Sequence, residues 1–131
     1  MRKFAFKKLV RDKIIDDMLK NGQNPKYRVL NDDEFLTELK KKLLEEAEEL
    51  PKASDGEIEG ELADIQEIID NLIKTLKIKR PRLKAAQKQK VVKRGSFKKK
   101  IYVDYVEVID DVKWLNYYLA NPHKYPEIKN R

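Results

Sequence analysis

Four acidic residues in the middle of the chain have the types and the spacing that could hold a divalent cation. Glu46 and Glu49 are three residues apart, and so are Glu61 and Asp64. On a helix this spacing puts both side chains of a pair on one face. Carboxylate oxygens suit Mg²⁺ and Mn²⁺, and clustered carboxylates repel one another unless a cation lies among them. The spacing therefore predicts a metal site, with surface glutamates on amphipathic helices as the alternative.

The register of the two helices that would carry these acids favours the metal site. Apolar residues recur at helical spacing in residues 33–52 and 57–77. Successive residues are about 100° apart around a helix axis. In each pair the first acid then lies about 60–70° from the centre of the apolar stripe and the second about 120–130° from it, on the same side of the helix. The turn between the helices contains Pro51 and Gly56, and helices joined by a short turn pack antiparallel. All four acids then lie at one level, whereas Glu45 points away from the stripe.

Length and composition predict one soluble domain. The chain has 131 residues, no cysteine and a single histidine, His123. The missing cysteines exclude a disulfide framework and thiolate chemistry, and one histidine disfavours histidine-centred catalysis. No apolar run reaches the length of a membrane span, and the first residues lack the apolar core of a secretory signal. We therefore expect a cytoplasmic protein with no membrane partner.

Charge is distributed unevenly along a chain whose net charge is +7. Residues 32–73 contain fifteen acids and four bases, whereas residues 74–101 contain thirteen bases and no acid. The basic run could bind nucleic acid. Alternatively, its cations could meet the anionic part of a ligand whose metal lies on the acidic block. Few aromatic residues interleave the lysines and no groove-reading motif is visible, so nucleic-acid binding is disfavoured.

The remaining segments complete a mainly α fold. Further helices are predicted at 9–22, 81–94 and 110–119. The β-branched and aromatic run 101–109 predicts a strand or an extended arm.

The fold class is therefore an antiparallel helical bundle with a small strand pairing, of about 27–30 with 101–108. Residues 1–109 form the domain. Residues 110–131 add a helix and an irregular tail that pack on the domain or at an oligomer interface.

The acidic motifs resemble those of a known family. KLLEEAEEL at 42–50, followed by ELAD at 61–64, resembles the EExxE…ExxD signature of the all-α nucleoside triphosphate pyrophosphohydrolases. That family includes MazG-like enzymes and phosphoribosyl-ATP pyrophosphohydrolase. KLVRDKI at 8–14 and KRGSF at 93–97 resemble two motifs of a small single-domain branch known as phosphoribosyl-ATP pyrophosphohydrolase-like. Together these blocks span roughly residues 8–103.

The resemblance implies a helical bundle that works as a homodimer or higher oligomer. It also implies Mg²⁺-dependent cleavage of an NTP or dNTP to the monophosphate and pyrophosphate, as nucleotide-pool housekeeping. The family's metal ligands fall on Glu46, Glu49, Glu61 and Asp64. Phosphoribosyl-ATP hydrolysis in histidine biosynthesis is the alternative activity. A catalytically silent relative, or a nucleic-acid-binding module using residues 74–101, are the non-enzymatic alternatives.

Other residues are candidates for proton transfer and phosphate binding. Glu45 matches the first acid of the family's doublet and could accept a proton from outside the ligand set. Lys42 lies one turn before Glu46 and could contact a phosphate, or pair with Glu46 at i, i+4 spacing. Candidates for phosphate or sugar contacts are Arg11, Lys13, Lys93 and Arg94. Their alternatives are a salt bridge to an acidic neighbour for Arg11 and compensation of the helix dipole for the pair at 93–94.

Overall fold

The fold is mainly helical, as predicted. The computed structural model describes residues 1–110 and 113–129, and in these ranges it contains five α-helices and no β-strand. The helices are α1 (Ile14–Lys20), α2 (Asp32–Glu49), α3 (Ile58–Thr75), α4 (Arg80–Arg94) and α5 (Lys113–Leu119). None of the helices in the described ranges is long and apolar enough to cross a membrane.

Contacts divide the chain into two units. The first is Met1–Val92 and the second is Lys93–Arg131. The domain boundary that the sequence suggests, after residue 109, stays a prediction.

The α2–α3 hairpin contains the core of the first unit. The two helices pack on each other, and a single 3-10 turn, Leu50–Lys52, lies in the connection between them. Leu39 of α2 is buried, and so are Ile68 and Ile73 of α3. Each such side chain contributes about 1.5–3 kcal/mol when it leaves water. The packing of these residues determines which faces of α2 and α3 contact each other.

Local sequence signals fix where α2 begins and ends. Asn31 caps α2, because its side chain accepts a hydrogen bond from the backbone N–H of Glu34 at 2.9 Å. Pro51 lacks an N–H and lies in the 3-10 turn, so α2 ends at Glu49. Before α3, the Ser54 hydroxyl donates to the carboxylate of Glu57. These ends leave the acidic residues on the facing turns of the hairpin.

The first helix is shorter than predicted. It begins at Ile14 rather than at residue 9, and the backbone N–H of Ile14 closes a turn on the carbonyl of Arg11 at 3.1 Å. Lys8 and Arg11 instead make ion pairs with acids of α2 and α3. Apolar periodicity alone predicted a longer helix because it carries no information about these long-range charge contacts.

The predicted strand pairing is wrong. Neither 27–30 nor 101–108 contains a strand, and both segments lie outside the helices. Almost all of their side chains are exposed. Strand preference reflects packing on a half-buried sheet, and an exposed segment has no such surface to pack against.

The second unit contains the end of α4, a segment (95–110) without helix or strand, and α5. Gly95 follows α4 with φ of +83°, the left-handed conformation expected of a glycine just past a helix. Four aromatic rings, Trp114, Tyr117, Tyr118 and Tyr125, contact one another with centroids 5.0–6.4 Å apart. Residues 111 and 112, which the predicted last helix includes, lie outside the described residues.

Candidate metal centre

Three of the four predicted metal ligands come together. Glu46, Glu61 and Asp64 each offer a carboxylate oxygen, and these oxygens all lie within 4.8 Å of one another. Glu46 projects from α2 and is only 8% exposed, whereas Glu61 and Asp64 lie one turn apart on α3 and are partly buried. We call these three residues the acidic triad. The hairpin positions the triad, since one member comes from α2 and two come from α3.

Glu49 lies farther out than the triad. It is exposed at the last position of α2 and is not among the three residues whose oxygens converge. It lines a shallow depression of about 240 Å³ together with Lys52, Ala53, Glu57 and Glu61. Register alone does not separate Glu49 from Asp64, since both are the outer acids of their pairs, but Glu49 is the last residue of α2 and adjoins the 3-10 turn. Its role as a ligand stays a prediction.

Burial and neighbouring negative charges dominate the electrostatics of Glu46 within the triad. Burial raises the pKa of Glu46, and the negative charges of Glu49 and Asp64 raise it further. In the described part of the chain, Oε2 of Glu61 is buried and has no hydrogen-bond partner. A buried oxygen without a partner is costly unless something binds it. The donor set of hard carboxylate oxygens fits a divalent cation such as Mg²⁺ or Mn²⁺.

Replacing Glu49 by glutamine is expected to lower the pKa of Glu46. The change removes the neighbouring charge that raises this pKa and leaves burial, the larger cause, in place. The pKa should therefore fall but stay above its ordinary value. A pH titration of the glutamate side-chain carbons by NMR measures this directly, with the exposed Glu48→Gln change as the control. An unchanged pKa in the Glu49 variant would contradict the electrostatic description of the triad.

Two cations of the KLVRDKI segment reach the acidic surface of the hairpin. Arg11 Nη2 donates to Asp64 Oδ1 at 2.6 Å, and Lys8 Nζ donates to Glu45 Oε1 at 3.1 Å. The salt-bridge alternative for Arg11 is therefore what this structure contains, and its partner is a predicted metal ligand. Nothing in the sequence pattern singles out Lys8, although it lies in the same motif, three residues before Arg11.

Glu45 faces these cations. Lys42 Nζ lies 3.5 Å from Glu45 Oε2 and 3.8 Å from Glu46 Oε1, so Lys42 makes the i, i+4 contact considered from the sequence. The hydrogen bond from Lys8 lowers the pKa of Glu45, and the charge of Lys42 lowers it further. Glu45 is thus held ionised at neutral pH beside the triad.

The other candidate residues are exposed. Lys13 occupies the N-cap position of α1. Lys93 and Arg94 lie in the last turn of α4, where they compensate the helix dipole. Those two residues belong to the second unit, whereas the triad belongs to the first. Their roles in binding phosphate or sugar stay predictions.

Taken together, the geometry defines an acidic hairpin site whose oxygens suit a divalent cation, flanked by lysine and arginine. No protein-family model, no curated protein and no solved structure matches the chain.

Proposed function

We propose that the protein is a Mg²⁺-dependent nucleoside triphosphate pyrophosphohydrolase. It would cleave an NTP or dNTP to the monophosphate and pyrophosphate and act on the nucleotide pool of the cytoplasm. The observation that carries the proposal is the convergence of carboxylate oxygens of Glu46, Glu61 and Asp64, in which Glu61 also has a buried oxygen without a hydrogen-bond partner. The motif resemblance supplies the reaction, and the flanking cations agree with an anionic substrate.

Each residue of the site has a role in this proposal. Glu46, Glu61 and Asp64 hold the cation, and Glu49 lies at the open edge beside Glu61. When bound, Mg²⁺ or Mn²⁺ neutralises polyphosphate charge and lowers the pKa of a bound water. Glu45 is the proposed proton acceptor; the lysines that lower its pKa keep it ionised but also make it a weaker base.

Positive charge near the triad serves the phosphates. Lys42 is mostly buried along its side chain, with its ammonium group between Glu45 and Glu46. Arg11 offers a planar guanidinium that can bind two phosphate oxygens at once. Both residues therefore combine a contact to the acidic surface with the capacity to bind an anion.

Self-association into a homodimer or a higher oligomer is part of the proposal. Leu62 and Leu76 of α3 are 51% and 46% exposed, while only three apolar side chains are buried in the described ranges. A core of that size gives little stability to one copy, and exposed apolar surface on a hairpin favours packing against a second. Sedimentation equilibrium should give at least twice the mass of one chain. A single-chain mass at micromolar concentration would contradict the association.

The reaction is tested by measuring products from a panel of canonical and modified NTPs and dNTPs, with Mg²⁺ and with a chelator. Phosphoribosyl-ATP belongs in the panel, because its hydrolysis is the alternative activity. We expect pyrophosphate and a nucleoside monophosphate to appear only with the metal. Release of single phosphates, or release without metal, would contradict the reaction class. Binding of a nucleotide that is never turned over would identify a catalytically silent relative.

Nucleic-acid binding is the second candidate function, and α4 is the observation that favours it. All of its residues are exposed, and it contains basic residues but no acid. At about 100° per residue its cations lie all around the helix rather than on one face. Affinity for duplex DNA or RNA that falls steeply with salt, in a protein that leaves every nucleotide intact, would favour this function instead.

A further inference from the structure

The contact between Arg11 and Asp64 joins two motifs that lie far apart in the sequence. Arg11 Nη2 donates to Asp64 Oδ1 at 2.6 Å across 53 positions of the chain. Asp64 is a member of the acidic triad, whose oxygens suit a divalent cation. The guanidinium therefore occupies a carboxylate that a metal ion would also bind.

A metal ion and the guanidinium compete for Asp64 because both neutralise the same charge. Arginine does not lose its proton at any pH that a folded protein experiences, so it leaves Asp64 only by moving. The move costs little, since the side chains of Arg11 and Asp64 are 60% and 42% exposed and exposed ion pairs are weak. It also requires no unfolding, because Arg11 precedes α1 and lies outside the helices.

Lys8 gives the segment a second attachment that metal binding does not disturb. Lys8 pairs with Glu45 of α2, and Glu45 is not a member of the triad. The segment therefore keeps one contact with the hairpin that is independent of Asp64 while Arg11 changes its partner. After the exchange, the freed guanidinium remains close to the site and is suited to a phosphate group.

We propose that Arg11 is a placeholder cation, which neutralises Asp64 in the metal-free protein and is transferred to a substrate phosphate when a divalent cation binds the triad. This inference rests on the proposed function, because it requires a divalent cation bound to Asp64 and an anionic substrate bound next to that cation. It makes Arg11 a residue with two partners, used in sequence, rather than a fixed salt bridge.

The test is a calorimetric titration of Mg²⁺, without nucleotide, into the wild type, Arg11→Gln and Lys8→Gln. Both variants lose one positive charge from the same segment, so general electrostatic effects are matched. Arg11→Gln should bind Mg²⁺ about two- to fivefold more tightly than the wild type, the gain expected when an exposed competing ion pair is removed. Lys8→Gln should show a smaller gain, because its partner is outside the triad.

A second titration, of inorganic pyrophosphate at saturating Mg²⁺, separates a placeholder from a purely structural arginine. Arg11→Gln should bind pyrophosphate more weakly than the wild type, opposite in sign to its effect on Mg²⁺. A structural role would weaken both. Equal Mg²⁺ affinities in the two variants, or weaker Mg²⁺ binding by Arg11→Gln, would overturn the inference while leaving the proposed function intact. A wild type that binds no Mg²⁺ would overturn both.

Discussion

Replacing Glu46 by glutamine is expected to abolish turnover without unfolding the protein. The change keeps the size of the side chain and removes one charged carboxylate, a proposed metal ligand, from the triad. Loss of an outer partner of a metal ligand costs about 10–100-fold in affinity or activity, so loss of a ligand itself should cost at least about 100-fold. Pyrophosphate release measures the loss of turnover. Urea denaturation in the presence of a chelator measures the stability of the metal-free protein.

The stability of the metal-free Glu46→Gln protein follows from the direction of the pKa shift. Burial and the charges of Glu49 and Asp64 raise the pKa of Glu46, so the folded state binds its proton more readily than the unfolded state does. Stability therefore falls as pH rises from the ordinary glutamate pKa through the raised one. Above that window the charged side chain is a net cost to folding, and the neutral glutamine removes it. We expect an equal or higher free energy of unfolding at neutral pH.

Glu48→Gln is the matched control for this prediction. Glu48 is exposed on the same helix, two residues from Glu46, and is not part of the triad. Its replacement should change activity and stability little. If Glu46→Gln lost activity only because it unfolded, the assignment of Glu46 to a metal site would be wrong.

Truncating Leu39 to alanine is expected to produce the largest loss of stability. Leu39 is 3% exposed and is the most buried apolar side chain in the described ranges. Leucine-to-alanine changes in cores cost about 2–5 kcal/mol, because apolar contacts are lost and a cavity remains. In a core this small, that loss is a large fraction of the total stability. Thermal and urea denaturation followed by circular dichroism measure it.

The neighbouring change Lys40→Ala provides the comparison. It introduces the same residue at the next position of α2, where the side chain is exposed. Its effect should stay within about 0.5 kcal/mol, as is usual for surface positions. Equal losses in the two variants would mean that Leu39 does not belong to the core of the hairpin.

The hairpin could be predicted from the sequence because its signals are local. The cap at Asn31, the break at Pro51 and the apolar stripes of both helices act within a few residues of where they lie. The same stripes fix which acids lie nearest the core. The proximity of Glu46 and Glu61 follows from helical register once the two helices pack. Register gives Asp64 and Glu49 the same offset from their stripes, so it does not predict that only Asp64 joins them.

The features that could not be predicted from the sequence depend on contacts between residues that lie far apart in the chain. Residues 101–109 have strand composition, but a strand forms only where another segment pairs with it, and composition does not supply one. The pairing of Lys8 with Glu45 spans 37 positions, and spacing cannot predict it. Glu49 matches the family's motif, yet the end of α2 leaves it outside the triad.

The most direct test of the metal centre is binding of Mn²⁺, followed by electron paramagnetic resonance, in the wild type, Glu61→Gln and Glu59→Gln. Glu61 carries the buried oxygen without a partner, whereas Glu59 is an exposed acid two residues earlier on the same helix. Saturable binding by the wild type and by Glu59→Gln, lost in Glu61→Gln, is the predicted result. Equal and weak binding by all three proteins would mean that the acids form only a charged surface, and would contradict the metal centre.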